Sequence, residues 1–347
     1  MIAYFVLSRT PQKWDVLEFG CVAGYEDAIS GGCAVLAQDA GTGPSLGAPL
    51  ADDLAARPAR WYRKLEGLRV ECGLCPRRCR VADLERGACG VRENRAGKYF
   101  TLVHSRPCSL HLDPIEKKPF YHVLPGTSSL SLATVGCNLE CRFCQNWEIA
   151  QARPEQVPGF DLPPDRVAAL AGKYGAPTIA CTYTEPVVWA EYAIDVAVAG
   201  RAAGLRTLLV SNGYIEREPL DDLIAVLGAV KVDLKAFTDG FYRDQCRGER
   251  KPVLDTLRRL RKKGMWTEIV VLVIPTLNDS EAETRDLARF VRNDLGPDVP
   301  VHFTRFHPAY RLRNLPPTPV SLLERAREIA TAEGLSFVYV GNVPGHP

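Results

Sequence analysis

The stretch Leu130-Ser131-Leu132-Ala133-Thr134-Val135-Gly136-Cys137-Asn138-Leu139-Glu140-Cys141-Arg142-Phe143-Cys144 runs from an apolar segment into three cysteines. Residues 130–135 are short, apolar and β-prone, and Gly136 marks the turn that ends them. Further runs of this kind follow at 178–182, 207–211, 229–233, 268–274, 301–306 and 337–340. Between them the apolar residues recur with helical spacing at 165–174, 187–203, 219–227, 253–263, 281–294 and 321–333. Strand and helix in alternation predict a parallel sheet with right-handed crossovers. Six or seven units suit a full or partial barrel. An open doubly wound sheet is the competitor, and periodicity does not choose between them.

Cys137, Cys141 and Cys144 are spaced C-x3-C-x2-C at the carboxyl end of the first of these strands. Three thiolates reach three corners of an iron–sulfur cube, whereas an electron-transfer cluster takes four cysteines. The next cysteine in the chain is Cys181, tens of residues away. The fourth iron is therefore open to an external chelate. The amine and carboxylate of an amino acid supply one, and S-adenosylmethionine (SAM) carries both. The alternative is a zinc knuckle short of one ligand. Zinc thiolates come in C-x2-4-C pairs, and a triplet with Phe143 before its last cysteine is not that pattern.

A second group, Cys72-x2-Cys75-x3-Cys79-x9-Cys89, offers four thiolates, enough for a tetrahedral zinc or a second iron–sulfur cluster. Arg77, Arg78 and Arg80 stand among them to offset thiolate charge. So short a region has little apolar core of its own, so the metal's role is expected to be chiefly structural. Cys108, Cys181 and Cys246 are isolated and read as buried small hydrophobes. Clustered cysteines in a chain with 12 of them point to metals in a reducing compartment rather than to disulfides.

The organisation expected is a poorly defined lead-in over 1–60, a Cys-rich metal-binding module over 61–125 and a barrel over 126–347. Gly, Pro and Ala between 41 and 58 suggest a loose segment, and Cys21 and Cys33 have no partners at metal spacing. The 347 residues are 46% hydrophobic and 24% charged, ordinary globular usage. A net charge of +2 provides no field to recruit nucleic acid or a membrane. The longest mainly apolar stretch, 186–203, contains Glu191, Asp195 and Arg201 and is a poor membrane span. The start MIAYFVLSR is a poor signal peptide, so a cytoplasmic location is expected.

Several segments together resemble the radical SAM superfamily, in particular the pyruvate formate-lyase activating enzyme group. The wording is most similar to the radical SAM enzymes of the AmmeMemoRadiSam system. The residues that carry this are Cys72-x2-Cys75-Pro76-x2-Cys79, Asp113-Pro114-Ile115-Glu116-Lys117-Lys118-Pro119, and Gly136-Cys137-Asn138 through Cys144-Gln145-Asn146-Trp147. The resemblance implies an α/β fold, a partial (β/α)6 TIM-like barrel with a small N-terminal Cys-rich module, and SAM at the carboxyl ends of the strands.

The same resemblance implies the SAM-handling residues, which include Phe143. Thr182-Tyr183-Thr184-Glu185-Pro186 matches the segment at the methionine ammonium, with Thr184 and Glu185 as contacts; Tyr-Thr stands where relatives often have Gly-Gly. The plainer reading is a helix start with Thr184 as its cap and Pro186 in the first turn. Ser211 and Asn212, before Gly213, match the ribose and carboxylate segment, with a strand-to-loop turn as the alternative. Asp233 and Lys235 line the pocket in relatives, and alternation puts both on one side of the strand. Ile274-Pro275-Thr276-Leu277-Asn278-Asp279 resembles a segment beneath the adenine, its polar residues reading better as a helix cap. His307 matches a position near SAM.

The implied activity is oxidoreductase-like. A flavodoxin or ferredoxin reduces the cluster, the electron splits the SAM C5′–S bond, and the 5′-deoxyadenosyl radical takes hydrogen from a substrate, either a protein or a small molecule. The auxiliary cysteines precede the triplet here, whereas ferredoxin-type inserts follow it. A later cysteine pair found in AmmeMemoRadiSam relatives is absent from this sequence. A different class of reading is a non-catalytic iron–sulfur or zinc protein that senses redox state or binds nucleic acid. The low net charge and the Thr182–Pro186 segment speak against it.

Overall fold

The computed structural model describes residues 56–346. Most of the lead-in expected over 1–60, including Cys21 and Cys33, lies outside the described residues. Its last part is ordered by pairing: β1 (Arg57–Pro58) runs antiparallel to β6 (Lys98–Thr101). With β5 (Arg92–Arg95) these make a three-stranded sheet in the order β1-β6-β5. A second small sheet joins β2 (Tyr62–Lys64), β3 (Val70–Cys72) and β4 (Arg80–Val81). Cys72 ends β3, and Cys75, Cys79 and Cys89 lie in the connections between these short strands.

The large sheet has eight strands. β7 (Ser109–Pro114) pairs antiparallel with β8 (Ser128–Ala133). Parallel strands follow in chain order: β9 (Thr178–Cys181), β10 (Arg206–Ser211), β11 (Ala229–Asp233), β12 (Thr267–Val273), β13 (Val301–Arg305) and β14 (Val338–Gly341). Spatial order equals chain order from β7 to β14. A doubly wound sheet would reverse direction at a switch point; this one does not, which settles the choice for an open, partial barrel. β7 lies upstream of residue 126, so the large sheet begins inside the stretch read as Cys-rich module.

Between strands come α1 (Trp147–Ala150), α2 (Pro164–Lys173), α3 (Ala190–Ala202), α4 (Arg217–Ile224), α5 (Asp239–Phe241), α6 (Arg250–Lys262), α7 (Glu281–Phe290) and α8 (Val320–Ala332). Among the described residues no helix is long and apolar enough to cross a membrane.

Register fixes which side chains face inward. A Cβ on Gly200 of α3 would lie 3.1 Å from Thr207 Oγ1 and 3.2 Å from Ile179 Cδ1, so these two face the helices. The alternate positions, Ala180, Leu208, Val210 and Lys231, therefore face the lumen, with Ser131 and His111 in the same register. At the amino ends of the strands the β7–β8 connection closes the barrel. Ile115, Phe120 and Val123 from that connection share one buried cluster with Leu208 and Ala229. Apolar closure at that end leaves the carboxyl ends as the open, polar face.

Candidate active site and metal centre

The cysteine loop leaves β8 through Gly136, whose φ is +100°. A Cβ there would stand 2.6 Å from Val91 Cγ1 and 3.0 Å from the Cys89 carbonyl oxygen, so only glycine fits. The loop is then strapped to the segment after α5. Glu140 N donates to Cys246 O at 2.9 Å and Arg142 N to Gln245 O at 2.9 Å. Arg247 pairs with Glu140 at 3.1 Å. Arg77 donates to the carbonyls of Asn138 and, at 2.7 Å, of Arg247. The Phe143 ring is buried against Phe241, centroids 5.7 Å apart.

Thus Cys137, Cys141 and Cys144 sit on one rigid loop at a strand end. Leu139 N donates to Cys137 Sγ at 3.4 Å. Burial and then the Glu185 charge push the Cys137 thiol well up, and burial pushes Cys144 up to about 12. Cys141 is lowered, first by a hydrogen bond with the Cys246 thiol and also by the Lys235 charge. Three thiols beside a lysine and a backbone N–H group fit a site that binds metal as thiolates. Cys246, expected to be an isolated apolar-like thiol, is in fact beside Cys141. It lies in the one-turn π segment Tyr242–Cys246, far along the chain, and spacing within the motif does not reach it.

The SAM candidates form a connected network at the neighbouring strand ends. Glu185 is 1% exposed. It accepts from Val187 N at 3.0 Å, Ser211 Oγ at 2.7 Å and Asn212 N at 2.8 Å. Burial raises its pKa to about 7 against the pull of those donors. Asn212 Nδ2 donates to Asn138 Oδ1 at 2.9 Å and stands 3.9 Å from Cys137 Sγ. Gly213, at φ +70°, makes the turn expected after Asn212. Glu185, not Thr184, caps the short 3-10 turn Pro186–Trp189 that precedes α3. Thr184 instead donates to Thr134 O at 2.7 Å, tying the segment to β8.

Tyr183 explains the unusual Tyr-Thr pair. Its φ is +63°, a conformation that glycine takes freely and that costs another residue roughly 1–2 kcal/mol. Its ring reaches into the lumen, where the hydroxyl donates to Asp113 and accepts from Lys118 Nζ at 3.0 Å. Lys118, 2% exposed, has its pKa drawn down to about 8 by burial, with Asp113 opposing. The phenol thus anchors the strained turn through the Asp113-to-Lys118 motif. Tyr183→Phe should cost about 1.5–3 kcal/mol, the worth of hydrogen bonds to charged groups, read as a lower urea midpoint. An unchanged midpoint would show that the phenol is not what holds the turn.

Asp233 and Lys235 share a side as expected and pair at 2.8 Å. Lys231, two residues earlier on the same face, also bonds Asp233. The two lysines hold the Asp233 carboxyl well below the usual range against the effect of burial. Lys231 escaped the sequence reading, although the same period of two would have found it. Asn278 is not the helix cap. It accepts from Ile274 N and donates to Lys235 O and Leu272 O at 2.9 Å, while Ser280 caps α7. His307 follows β13 and is exposed; the hydrogen bonds above do not reach it.

The second cysteine group also comes together. Cys72 N donates to Cys79 O at 2.9 Å, and Ala88 N to Cys79 Sγ at 3.4 Å. Cys72 and Cys75 are buried. Among the described residues, no three His, Cys, Asp or Glu side chains converge on a single-ion position. The arginines expected to offset thiolate charge are engaged elsewhere: Arg78 with Glu216 at 2.8 Å, Arg80 with Glu71 at 3.2 Å, Arg77 with the carbonyls above. The buried cation near the thiols is Arg92, which stands outside the C-x2-C-x3-C motif.

Three thiols and a buried carboxylate thus lie at the carboxyl ends of adjacent strands in an open parallel barrel. The model of the Radical SAM superfamily matches residues 131–288. An uncharacterized protein of Methanocaldococcus jannaschii is 43% identical over 290 residues, covering 84% of this chain and 86% of that protein. The chain belongs to the radical SAM superfamily. It is also similar to pyruvate formate-lyase 1-activating enzyme of Escherichia coli K12, 23% identical over 223 residues, which cover 59% of this chain and 89% of that enzyme. In fold it is similar to a radical SAM methyltransferase from Sphaerobacter thermophilus, with a TM-score of 0.50 and 17% identity over 84% of this chain and 78% of that one.

Proposed function

We propose that this chain binds a [4Fe-4S] cluster through Cys137, Cys141 and Cys144 and cleaves SAM reductively. The observation that carries the reading is the continuous link from Cys137 through Asn212 to Glu185. It sets a buried carboxylate beside a three-thiol loop, the pairing that an amino-acid chelate on an open iron needs. With both groups bound, the chemistry supplied is one-electron cleavage of the C5′–S bond, giving methionine and a 5′-deoxyadenosyl radical that takes a hydrogen atom from the substrate.

Glu185 accepts from the methionine ammonium, and Ser211 and Asn212 hold its orientation while offering polar atoms to the nucleoside. Asp233 and Lys235, with Thr184, Phe143 and His307, complete the surround. The Asp233 pair stays charged inside the lumen because both lysines face it, and the closed apolar end limits water. A flavodoxin or ferredoxin supplies the electron. The substrate, a protein or a small molecule, approaches the open carboxyl face. Cys72, Cys75, Cys79 and Cys89 are read as an auxiliary metal site, zinc or a second cluster.

Glu185→Gln tests the pocket, because it removes the charge and keeps one amide oxygen, which accepts either from Val187 N and Ser211 Oγ or from Asn212 N, but not from both sides. SAM affinity should fall about ten- to more than a hundredfold, the worth of one charge-assisted bond of roughly 1.5–3 kcal/mol, with iron content unchanged. Unaltered affinity would reduce Glu185 to the start of a helix.

A further inference from the structure

Tyr99 and Arg92 are each 1% exposed, and each has a polar atom without a hydrogen-bond partner: the Tyr99 hydroxyl and Arg92 Nε. Leaving such a donor buried and unpaired costs about 1–3 kcal/mol, and a native structure rarely does so without a ligand, ion or water at that point. Both atoms lie beside the second cysteine group. A Cβ on the buried Gly87 would be 2.8 Å from the Tyr99 hydroxyl and 3.8 Å from Cys79 Sγ, so the phenol and the thiol flank one spot kept clear by glycine. Cys72, Cys79 and Cys89 all act electrostatically on Tyr99, and Arg92 acts on Cys72 and Cys89.

The rest of Arg92 is committed. Its two terminal nitrogens bond Glu191 of α3 at 2.8 and 2.7 Å, and one reaches Arg60 O at 3.1 Å. The guanidinium is therefore fixed with Nε as its remaining donor. Across the group, the Cys89 carbonyl closes on Gly136, the residue before Cys137.

We infer that Cys72, Cys75, Cys79 and Cys89 hold an iron–sulfur cluster of the cubane class, with Tyr99 and Arg92 donating hydrogen bonds to its sulfurs. This deepens the auxiliary-site reading above and rests on it. A cube presents sulfide as well as thiolate acceptors, which gives two buried donors partners of the right kind. Cys72, Cys79 and Cys89 act electrostatically on Tyr99, and Cys79 Sγ shares with the phenol the spot that Gly87 keeps clear. The guanidinium beside the centre is oriented by Glu191, which pairs its charge and leaves Nε as the donor toward the thiols. Donors to cluster sulfurs raise a cluster's reduction potential, so Tyr99 and Arg92 are positioning residues for that potential.

The test uses the full chain carrying Cys137→Ala, Cys141→Ala and Cys144→Ala, reconstituted under anoxia with ferrous iron, zinc and sulfide. About four irons and four sulfides per chain are expected, and Tyr99→Phe in that background should keep the iron while shifting the midpoint potential to a more negative value. One zinc without sulfide, or a folded chain that takes up no metal, overturns the cluster. An unchanged potential overturns the role of Tyr99. Should the triple variant not fold, the unaltered chain decides: about eight irons support the proposal and about four overturn it. Failure of the unaltered chain to cleave SAM while the triple variant still holds four irons would strike the proposed function and leave this site standing.

Discussion

Cys141→Ala is expected to abolish SAM cleavage, with 5′-deoxyadenosine falling below detection in an anoxic assay with a low-potential reductant. Cys141 is the buried centre of its loop, and Cys144 N donates to its carbonyl at 3.2 Å. Its backbone survives the substitution because Glu140 and Arg142 on either side remain bonded to Cys246 and Gln245. What is lost is a thiolate, and two thiolates do not hold a cube with one iron reserved for SAM. Cys246 stands against Cys141, so its thiol could occupy the vacated corner. Cys141→Ala combined with Cys246→Ala is therefore the companion variant. Full cleavage by the double variant would remove Cys141 from the site.

The largest effect on stability is expected at Glu191→Ala. Arg92 and Glu191 form a two-pronged ion pair with side chains 1% and 7% exposed. It joins β5 of the small sheet to α3 of the barrel. Removing one partner strands a buried charge, which typically costs about 3–5 kcal/mol. Chemical denaturation followed by circular dichroism should show this loss. Replacing both residues with methionine should restore much of it, since buried pairs are often exchangeable for apolar packing. The Glu191 carboxyl is held below its ordinary range by Arg92, although burial alone would raise it. A depressed carboxylate stabilises the fold above its unfolded pKa, and that share is lost as pH falls through the folded value. The variant and the parent chain should therefore converge in stability on acidification.

The barrel was legible because parallel strands buried on both faces read as continuous apolar runs. β10 and β12 fall within a residue of the runs at 207–211 and 268–274. β7 was not legible as a barrel strand. Its Leu110 and Leu112 alternate with His111 and Asp113, yet its pairing with β8 depends on a connection that doubles back to plug the barrel. The two- to four-residue strands around Cys72 are set by tertiary contacts, and no local period marks them. At the site, strand-end position gathered Glu185, Ser211 and Asn212. The Tyr183–Asp113–Lys118 triad joins residues about 70 apart, and such partnerships leave no local trace. Arg92 was missed for a similar reason: its meaning lies in Glu191, 99 residues on.

The most direct measurement is the fate of SAM on the reconstituted full chain. Incubated under anoxia with a low-potential one-electron donor, the protein should release 5′-deoxyadenosine and methionine in equal amounts, only when reductant and cluster are both present. Recovery of SAM intact from a chain that carries its full iron and sulfide, with the donor still reduced, would contradict the account.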